Sequence, residues 1–491
     1  MRRARRFDCK APLMTSLGID FGTSNCLAHT ATPKDVVPVE LESGRFSLPS
    51  VVFTGRREVA MRQVEDSEFE KRLRHARLEE RKRGGRAIDD NELQRAIRDA
   101  MRREAADEAN KSYWDQTFFS LLKDGQAILF GTPALRAYFA DPLSGVLVKS
   151  PKSFLGSKIS ENHLAHFENI VTAMLEHIRG VAETAHDCSI TSAVLGRPVR
   201  YHGTQGKEGD TQALDVMSRA AARAGFTDVR YELEPLAAAY EYETSIREEQ
   251  KLLVVDVGGG TTDCVMMRVN PQRAGRADRD DDILGVSGDR VGGTDFDEAL
   301  AWHAFMAAFG KDTMRKNGFP VPHSLLYDAI SIRNLPAQLR FAKSKREIAD
   351  LIEQAVEPEK LERLATLREQ QLQYRLVHSA ESAKMELSKA DDFNVSLDYI
   401  EHALAIPVTR RGLGEASTRL VDKIRDLALE AVTAAGAKPD VVFLTGGMAI
   451  SPVVSDAVAD VVGKNVRLQS SDMLGTVGKG LGLCAQRVFG R

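Results

Sequence analysis

Apolar residues along this chain fall into short runs that end in an acid or a glycine. Between the runs lie longer stretches in which apolar positions recur every three or four residues. The runs predict buried strands and the spaced stretches predict helices. Leu17-Gly18-Ile19-Asp20 is an apolar strand closed by an acid and a Gly turn, and Leu48 to Phe53 predicts another strand. Across 57–112 Arg, Glu, Asp and Lys crowd together, with Leu73, Leu78, Leu93, Ile97 and Met101 at helical intervals and Gly84-Gly85 as a break. Two charged helices are expected there, either a solvated hairpin or a surface for a partner.

His166 to Ala185 predicts an amphipathic helix, Ser192 to Gly196 a strand, and Thr211 to Ala224 a helix closed by Gly225. Asp228 to Tyr231 is a short strand, Leu236 to Tyr242 opens a helix, and Leu252 to Asp256 is a strand that again ends in acid-then-Gly. Residues 271–282 are expected to form a polar, Arg/Asp-rich loop, and 340–390 long charged helices interrupted at Pro358. Val441 to Leu444 is a further apolar strand, followed by Thr445-Gly446-Gly447 and a helix from about Ser451. Strands separated by helices imply an α/β fold whose sheets are covered on both faces.

Composition narrows the class. The 491 residues, 43% of them hydrophobic, suffice for about three folding units or one large two-lobed domain. Charged residues make up 28% and the formal net charge is -3, which gives no overall attraction to nucleic acid or to an anionic membrane. The cysteines at 9, 26, 188, 264 and 484 form no CxxC pair, the pattern of reduced thiols in a cytoplasmic protein. No apolar run approaches the ~20 residues of a membrane helix. The Arg-rich start leads into no apolar h-region, so 1–13 is expected to be a disordered tail and Met14 an alternative start.

One repeat carries chemistry. Leu17-Gly-Ile-Asp-Phe-Gly-Thr-Ser recurs in outline as Val254-Val-Asp-Val-Gly-Gly-Gly-Thr-Thr, which suggests two related halves. Glycines let a backbone approach phosphate closely, and Thr23, Ser24, Thr261 and Thr262 can add donors. The acids at the strand ends, Asp20 and Asp256, suit a Mg²⁺ ion held through waters, or an attacking water, better than direct contact with an anion. Gly446-Gly447, after a third strand, would let a base or ribose lie against backbone. Each loop alone is a weak signal; the matched pair is a stronger one.

These sites occur in the order found in the actin, sugar-kinase and heat-shock chaperone superfamily, and the chain resembles the ATPase half of DnaK-type 70-kDa heat-shock proteins. Asp20-Phe-Gly-Thr-Ser-Asn is similar to their first phosphate motif and Asp256-Val-Gly-Gly-Gly-Thr-Thr-Asp263 to the second. Glu234-Pro-Leu-Ala-Ala-Ala-Tyr looks like their lobe-linking helix, Gly288-Asp289 with Gly292-Gly293-Thr-Asp-Phe-Asp297 like a further signature, and Ala380-Glu381-Ser-Ala-Lys384-Met-Glu-Leu-Ser388 like the nucleoside-binding helix. The resemblance implies an actin-like two-lobed ATPase fold: duplicated ribonuclease-H-like domains with inserted subdomains and nucleotide in the central cleft. Lobe I would span 14–248, with a charged insertion at about 57–125, and lobe II 249–491, with an inserted subdomain at about 294–404.

Carried over by matching residue, the resemblance implies ATP or ADP as ligand. Gly22, Thr23, Ser24 and Asn25, and Gly258, Gly259, Gly260, Thr261 and Thr262, would line the phosphates, with Gly292 and Gly293 alongside. Asp20, Glu234, Asp256 and Asp263 would surround Mg²⁺, mostly through water. Lys152 would face the γ-phosphate, with Lys149 as a rival. Glu381, Lys384 and Ser388 would meet ribose and adenine, opposite Gly446, Gly447 and Met448. Met385 and Ile450 stand where the family places arginines beside the base, removing a cation–π component of about 0.5–2 kcal/mol. Because the match stops at Arg491, the chain looks like the YegD-type subgroup, which lacks a peptide-binding domain. The implied function is a slowly hydrolysing, chaperone-like switch with a protein partner. The alternatives are a small-molecule kinase or a nucleotide-gated scaffold or filament.

Overall fold

The structure is a computed structural model that describes residues 15–55, 66–83, 89–90, 93–98, 100–101, 128–201, 206–276, 279–470 and 475–490. The expected tail at 1–13, Met14, the Gly84-Gly85 break and, within the expected insertion at about 57–125, residues 57–65 and 102–125 lie outside the described residues.

Two sheets share one strand plan. In the first, β1 (Ser16–Phe21), β2 (Asn25–Ala31) and β3 (Val36–Pro38) form an antiparallel meander, and β4 (Ser192–Arg197) and β5 (Asp228–Leu233) extend it in parallel on the other side of β1. In the second, β6 (Gln250–Val257), β7 (Thr262–Val269) and β8 (Ile283–Asp289) repeat the meander, and β9 (Val441–Thr445) and β10 (Arg467–Ser470) the parallel extension. The central strands are apolar without alternation because both faces are covered: Leu252, Leu253, Val254 and Val255 are fully buried. The repeat read from two short motifs is therefore a repeat of whole sheets.

The expected strand from Leu48 to Phe53 is broken into Ser47–Pro49 and Val51–Gly55. Ser50 causes the break by turning its groups elsewhere. Its Oγ donates to the Gly22 carbonyl at 2.6 Å and its N–H to the Ser24 carbonyl at 2.9 Å.

Three helices position the cleft. Helix α1 (Glu234–Glu243) follows β5, α2 (Gln373–Leu387) lies in the segment between β8 and β9, and α3 (Thr476–Phe489) follows β10. Each of the two helices that ends a half packs on the other half's sheet. Leu236 to Tyr242 share a core with Val254, Val265 and Met267, while Leu481 and Ala485 meet Val194 and Ala31. The crossing is tight because α3 shows glycine to its neighbours. An added Cβ on Gly480 would overlap the Ala237 carbonyl, and one on Gly18 the backbone at Gly482.

Residues 300–413 build a second core around Phe305, Phe309, Phe341, Leu361, Leu364 and Leu376. Here the expectation of long helices is corrected. The segment folds as Leu335–Lys343, Lys345–Gln354, Pro358–Glu369 and α2, with breaks at Ser344, 355–357 and 370–372. Pro358 opens a helix, where its missing N–H costs nothing. The charges occupy the outer faces, while leucines at helical spacing point inward.

The polar 271–282 loop is also more than a solvated loop. Arg279 and Asp282 are buried, and the Arg279 guanidinium bridges Asp282 and the equally buried Glu243 at 2.6–2.8 Å. Burying such charges is tolerable only because every one is paired.

Residues 53–128 with 144–146 form a separate compact unit. The first of its two expected helices is Asp66–Arg83. There Phe69 is buried under the Arg98 guanidinium, 4.6 Å from the ring centroid, and Arg77 pairs with Asp90.

Candidate functional site

The two Asp-Gly turns meet face to face. An added Cβ on Gly259 would collide with the Ser24 hydroxyl, and one on Gly260 with Thr23. Only glycine lets the second loop sit this close to the hydroxyls of the first. Behind it, Gly292-Gly293-Thr294 acts as a buttress: the N–H groups of Gly293 and Thr294 donate to the carbonyls of Gly258 and Gly259 at 2.8 and 2.9 Å. The Thr262 hydroxyl donates to the Val291 carbonyl at 2.7 Å, so it braces the loop instead of facing the cleft. Gly446, at φ +84, passes so near Val257 and Asp256 that a side chain would strike both.

A cleft of about 290 Å³ opens beside these loops. Its wall includes Asp20, Gly22, Thr23, Ser24, Asn25, Lys152, Glu234, Asp256, Gly258, Gly259 and Thr261 at one end. At the other end are Gly293, Glu381, Lys384, Met385, Ser388, Gly446, Gly447, Met448 and Ile450. Gly260, Thr262, Asp263 and Gly292, also expected at the site, do not line this cleft. Gly260 borders a small adjoining cavity with Thr23, Lys152, Ser153, Tyr201 and Arg290.

The electrostatics of the first end are set by crowded acids. Asp256 stands directly opposite Asp263 across the β6–β7 ladder, a like-charge pairing that is unfavourable by itself. Burial, then Glu234, then Asp263 push the Asp256 carboxyl well above its ordinary range. Burial and Glu234 do the same to Asp20, against the pull of Lys152. Asp263 is pushed up to about 7, first by burial and then by Glu234, although it accepts the Val199 N–H at 2.6 Å. Lys152 answers this charge. Burial alone would discharge it, but Glu234, Tyr201 and Asp20 hold its ammonium charged, and its Nζ donates to Glu234 at 2.5 Å.

Lys152 reaches this place on a tight turn, Pro151–Phe154, that follows Ser150 at φ +57. The Ser150 N–H donates to the Ser50 carbonyl at 2.7 Å, which ties the turn to the residue that braces the first glycine loop. Lys149 goes elsewhere, to an ion pair with Glu381 at 2.7 Å. Burial would raise Glu381, yet Lys149, His378 and Lys384 keep it well below the usual carboxylate range. Lys384 pairs with Asp297 at 2.7 Å and donates to the Gly293 carbonyl at 2.9 Å.

The donor set fits a divalent cation. Asp20, Asp256, Asp263 and Glu234 face a single lysine, an excess of negative charge that a cation would offset. Among the described residues no three His, Cys, Asp or Glu side chains converge closely enough for a direct metal shell.

Leu27, Asp297, Lys389, Ser451 and Val477 also line the cleft and were not foreseen. Asp297 carried a signal, since it closes the Gly292-to-Asp297 signature. The others are one-residue contributions from elements chosen by the fold.

Paired sheets of this plan, with glycine turns meeting at a cleft, define the actin-like ATPase fold. A family model described as Hsp70 protein matches residues 147–317 and 347–472, more than half of the chain. The chain belongs to the Hsp70 family. It is 27% identical over 361 residues to the chaperone protein DnaK of Endomicrobium trichonymphae, covering 71% of this chain and 48% of that one. It is 23% identical over 461 residues to the chaperone protein DnaK of Prochlorococcus marinus (strain MIT 9515), covering 91% of this chain and 55% of that one. The chain thus spans about half the length of the curated relatives it matches. Among the described residues no helix is long and apolar enough to cross a membrane.

Proposed function

We propose that the chain binds Mg-ATP in this cleft and hydrolyses it slowly, as a chaperone-like switch whose nucleotide state a protein partner reads. The observation that supports this most is the contact of the two glycine turns, Gly259 against Ser24 and Gly260 against Thr23. It brings the two glycine loops into contact beside a cleft whose wall also holds Lys152. Thr23, Ser24, Gly259 and Thr261 would hold the β- and γ-phosphates. Lys152 would stabilise charge on the γ-phosphoryl oxygens. Asp20, Glu234, Asp256 and Asp263 would surround Mg²⁺ through its waters and orient the attacking water. The ion would supply charge neutralisation between the phosphates and the carboxylates. Glu381, Lys384 and Ser388 would seat the nucleoside. The halves 14–248 and 249–491 would close on nucleotide, giving the partner a state to recognise.

Calorimetry with ATP, with and without Mg²⁺, tests the reading. Binding is expected to need Mg²⁺ for full affinity. Asp256→Asn is expected to slow hydrolysis at least about tenfold while affinity changes by less than about threefold. Absence of binding, or equal loss of binding and hydrolysis in the variant, would sink it.

A further inference from the structure

The two ends of the cleft are built on different principles. The phosphate end is dense in fixed, buried polar groups. The far end is lined by Met385 and Ile450, which are 55% and 44% exposed, with Met448, Ser388, Lys389 and Ser451 beside them. We propose that this slot recognises a purine by shape and apolar contact alone, so that guanine and hypoxanthine nucleotides bind about as well as adenine nucleotides. The proposal rests on the reading of the cleft as a nucleotide site and specifies its substrate class.

Adenine presents an amino donor at the ring position where guanine and hypoxanthine present a carbonyl acceptor. A site selects between them only with a fixed, desolvated partner of one kind, so that the wrong base leaves that partner unpaired. Among the side chains of the described lining residues no such uncommitted partner of one kind stands at this end. Glu381 is committed to Lys149 and Lys384 to Asp297. Ser388 donates its hydroxyl back to the Lys384 carbonyl at 3.3 Å and retains lone pairs for an amino group. Ser451 carries a hydroxyl that both donates and accepts. Lys389, at 3.8 Å from Glu386 and largely exposed, offers only a donor, which suits a carbonyl. The acceptor and the donor favour opposite bases, and Lys389 is largely exposed. Met385 adds an unbranched thioether that conforms to either ring system. What remains specific is area: two fused rings bury more apolar surface against Met385 and Ile450 than one ring does.

The test is competition of ATP, GTP, ITP and CTP against a fluorescent ADP analogue on the full chain with Mg²⁺. GTP and ITP are expected within about tenfold of ATP, and CTP weaker than all three. A preference for ATP over GTP beyond tenfold would overturn the proposal. So would CTP binding as tightly as ATP, since the base would then not be read at all. Lys389→Glu replaces the exposed donor by an acceptor, at little risk to folding. It is expected to leave the GTP-to-ATP affinity ratio within about threefold of the parent's; a larger shift would show that a polar group reads the base and would overturn the proposal. If no nucleotide binds, the failure lies with the nucleotide reading itself.

Discussion

Lys152 and Glu234 are almost fully buried and bonded to each other at 2.5 Å, across 82 positions of sequence. Replacing the lysine by Met would leave a carboxylate unpaired next to Asp20 and Asp256. Breaking a buried pair from one side costs about 3–5 kcal/mol, so Lys152→Met is expected to lose that much in urea unfolding. Adding Glu234→Gln should recover most of the stability without recovering hydrolysis. A single variant as stable as the parent would show that the pair is not buried in solution. The same residues mark how far the site could be read in advance. The glycine turns were legible because phosphate-loop chemistry is local, contained in a few consecutive residues. Lys152 was preferred to Lys149 only by its match to the family's motif, because what separates them physically is a partner: Glu234 for Lys152, and Glu381, 232 positions away, for Lys149. Asp297 was legible only as the end of a signature, since its role is fixed by Lys384.

At the level of elements, buried strands announced themselves. β6 and β9 are covered on both faces, so their sequences are unbroken apolar runs that end where the loop chemistry begins. The helices between 335 and 387 were misread as long because charge obscured their breaks. The ends are fixed by Ser344 and by turns that let Leu361, Leu364 and Leu367 reach a shared core. The Arg279–Glu243–Asp282 cluster was hidden in a stretch whose composition reads as solvent-facing. Helix α3 makes an opposite point, since its glycines look like weaknesses. Propensity alone says that Gly480→Ala should stabilise the helix by about 1 kcal/mol. The crossing with α1 says otherwise, because the new methyl would occupy the Ala237 carbonyl oxygen. The variant is expected to lose about 3 kcal/mol, seen as a fall in thermal midpoint. A rise would show that the two helices are not in backbone contact.

For the molecule as a whole, pH is the most direct probe of how much polar material the core encloses. Burial, with Lys479 adding to it, lowers His29 from 6.5 to about 4, and burial lowers His166 from 6.5 to about 3. Both rings are neutral in the fold and protonate near 6.5 once unfolded. Their contribution is complete above that value and is lost as pH falls towards 4 and then 3. Asp297 and Glu298, raised to about 6 and about 7 mainly by burial, act in the opposite sense. The clean measurement is therefore the difference between parent and His29→Gln. The variant's urea midpoint should fall less steeply between about pH 6.5 and 4.5, and identical slopes would refute the assignment. The exchanged helices carry a consequence of another kind. With α1 on the second sheet and α3 on the first, each half completes the other's core, as two separate chains do when they trade a segment. A cut in the 244–249 connection would leave two pieces that stay clasped. The order of the halves along the chain thus becomes a matter of ancestry more than of architecture.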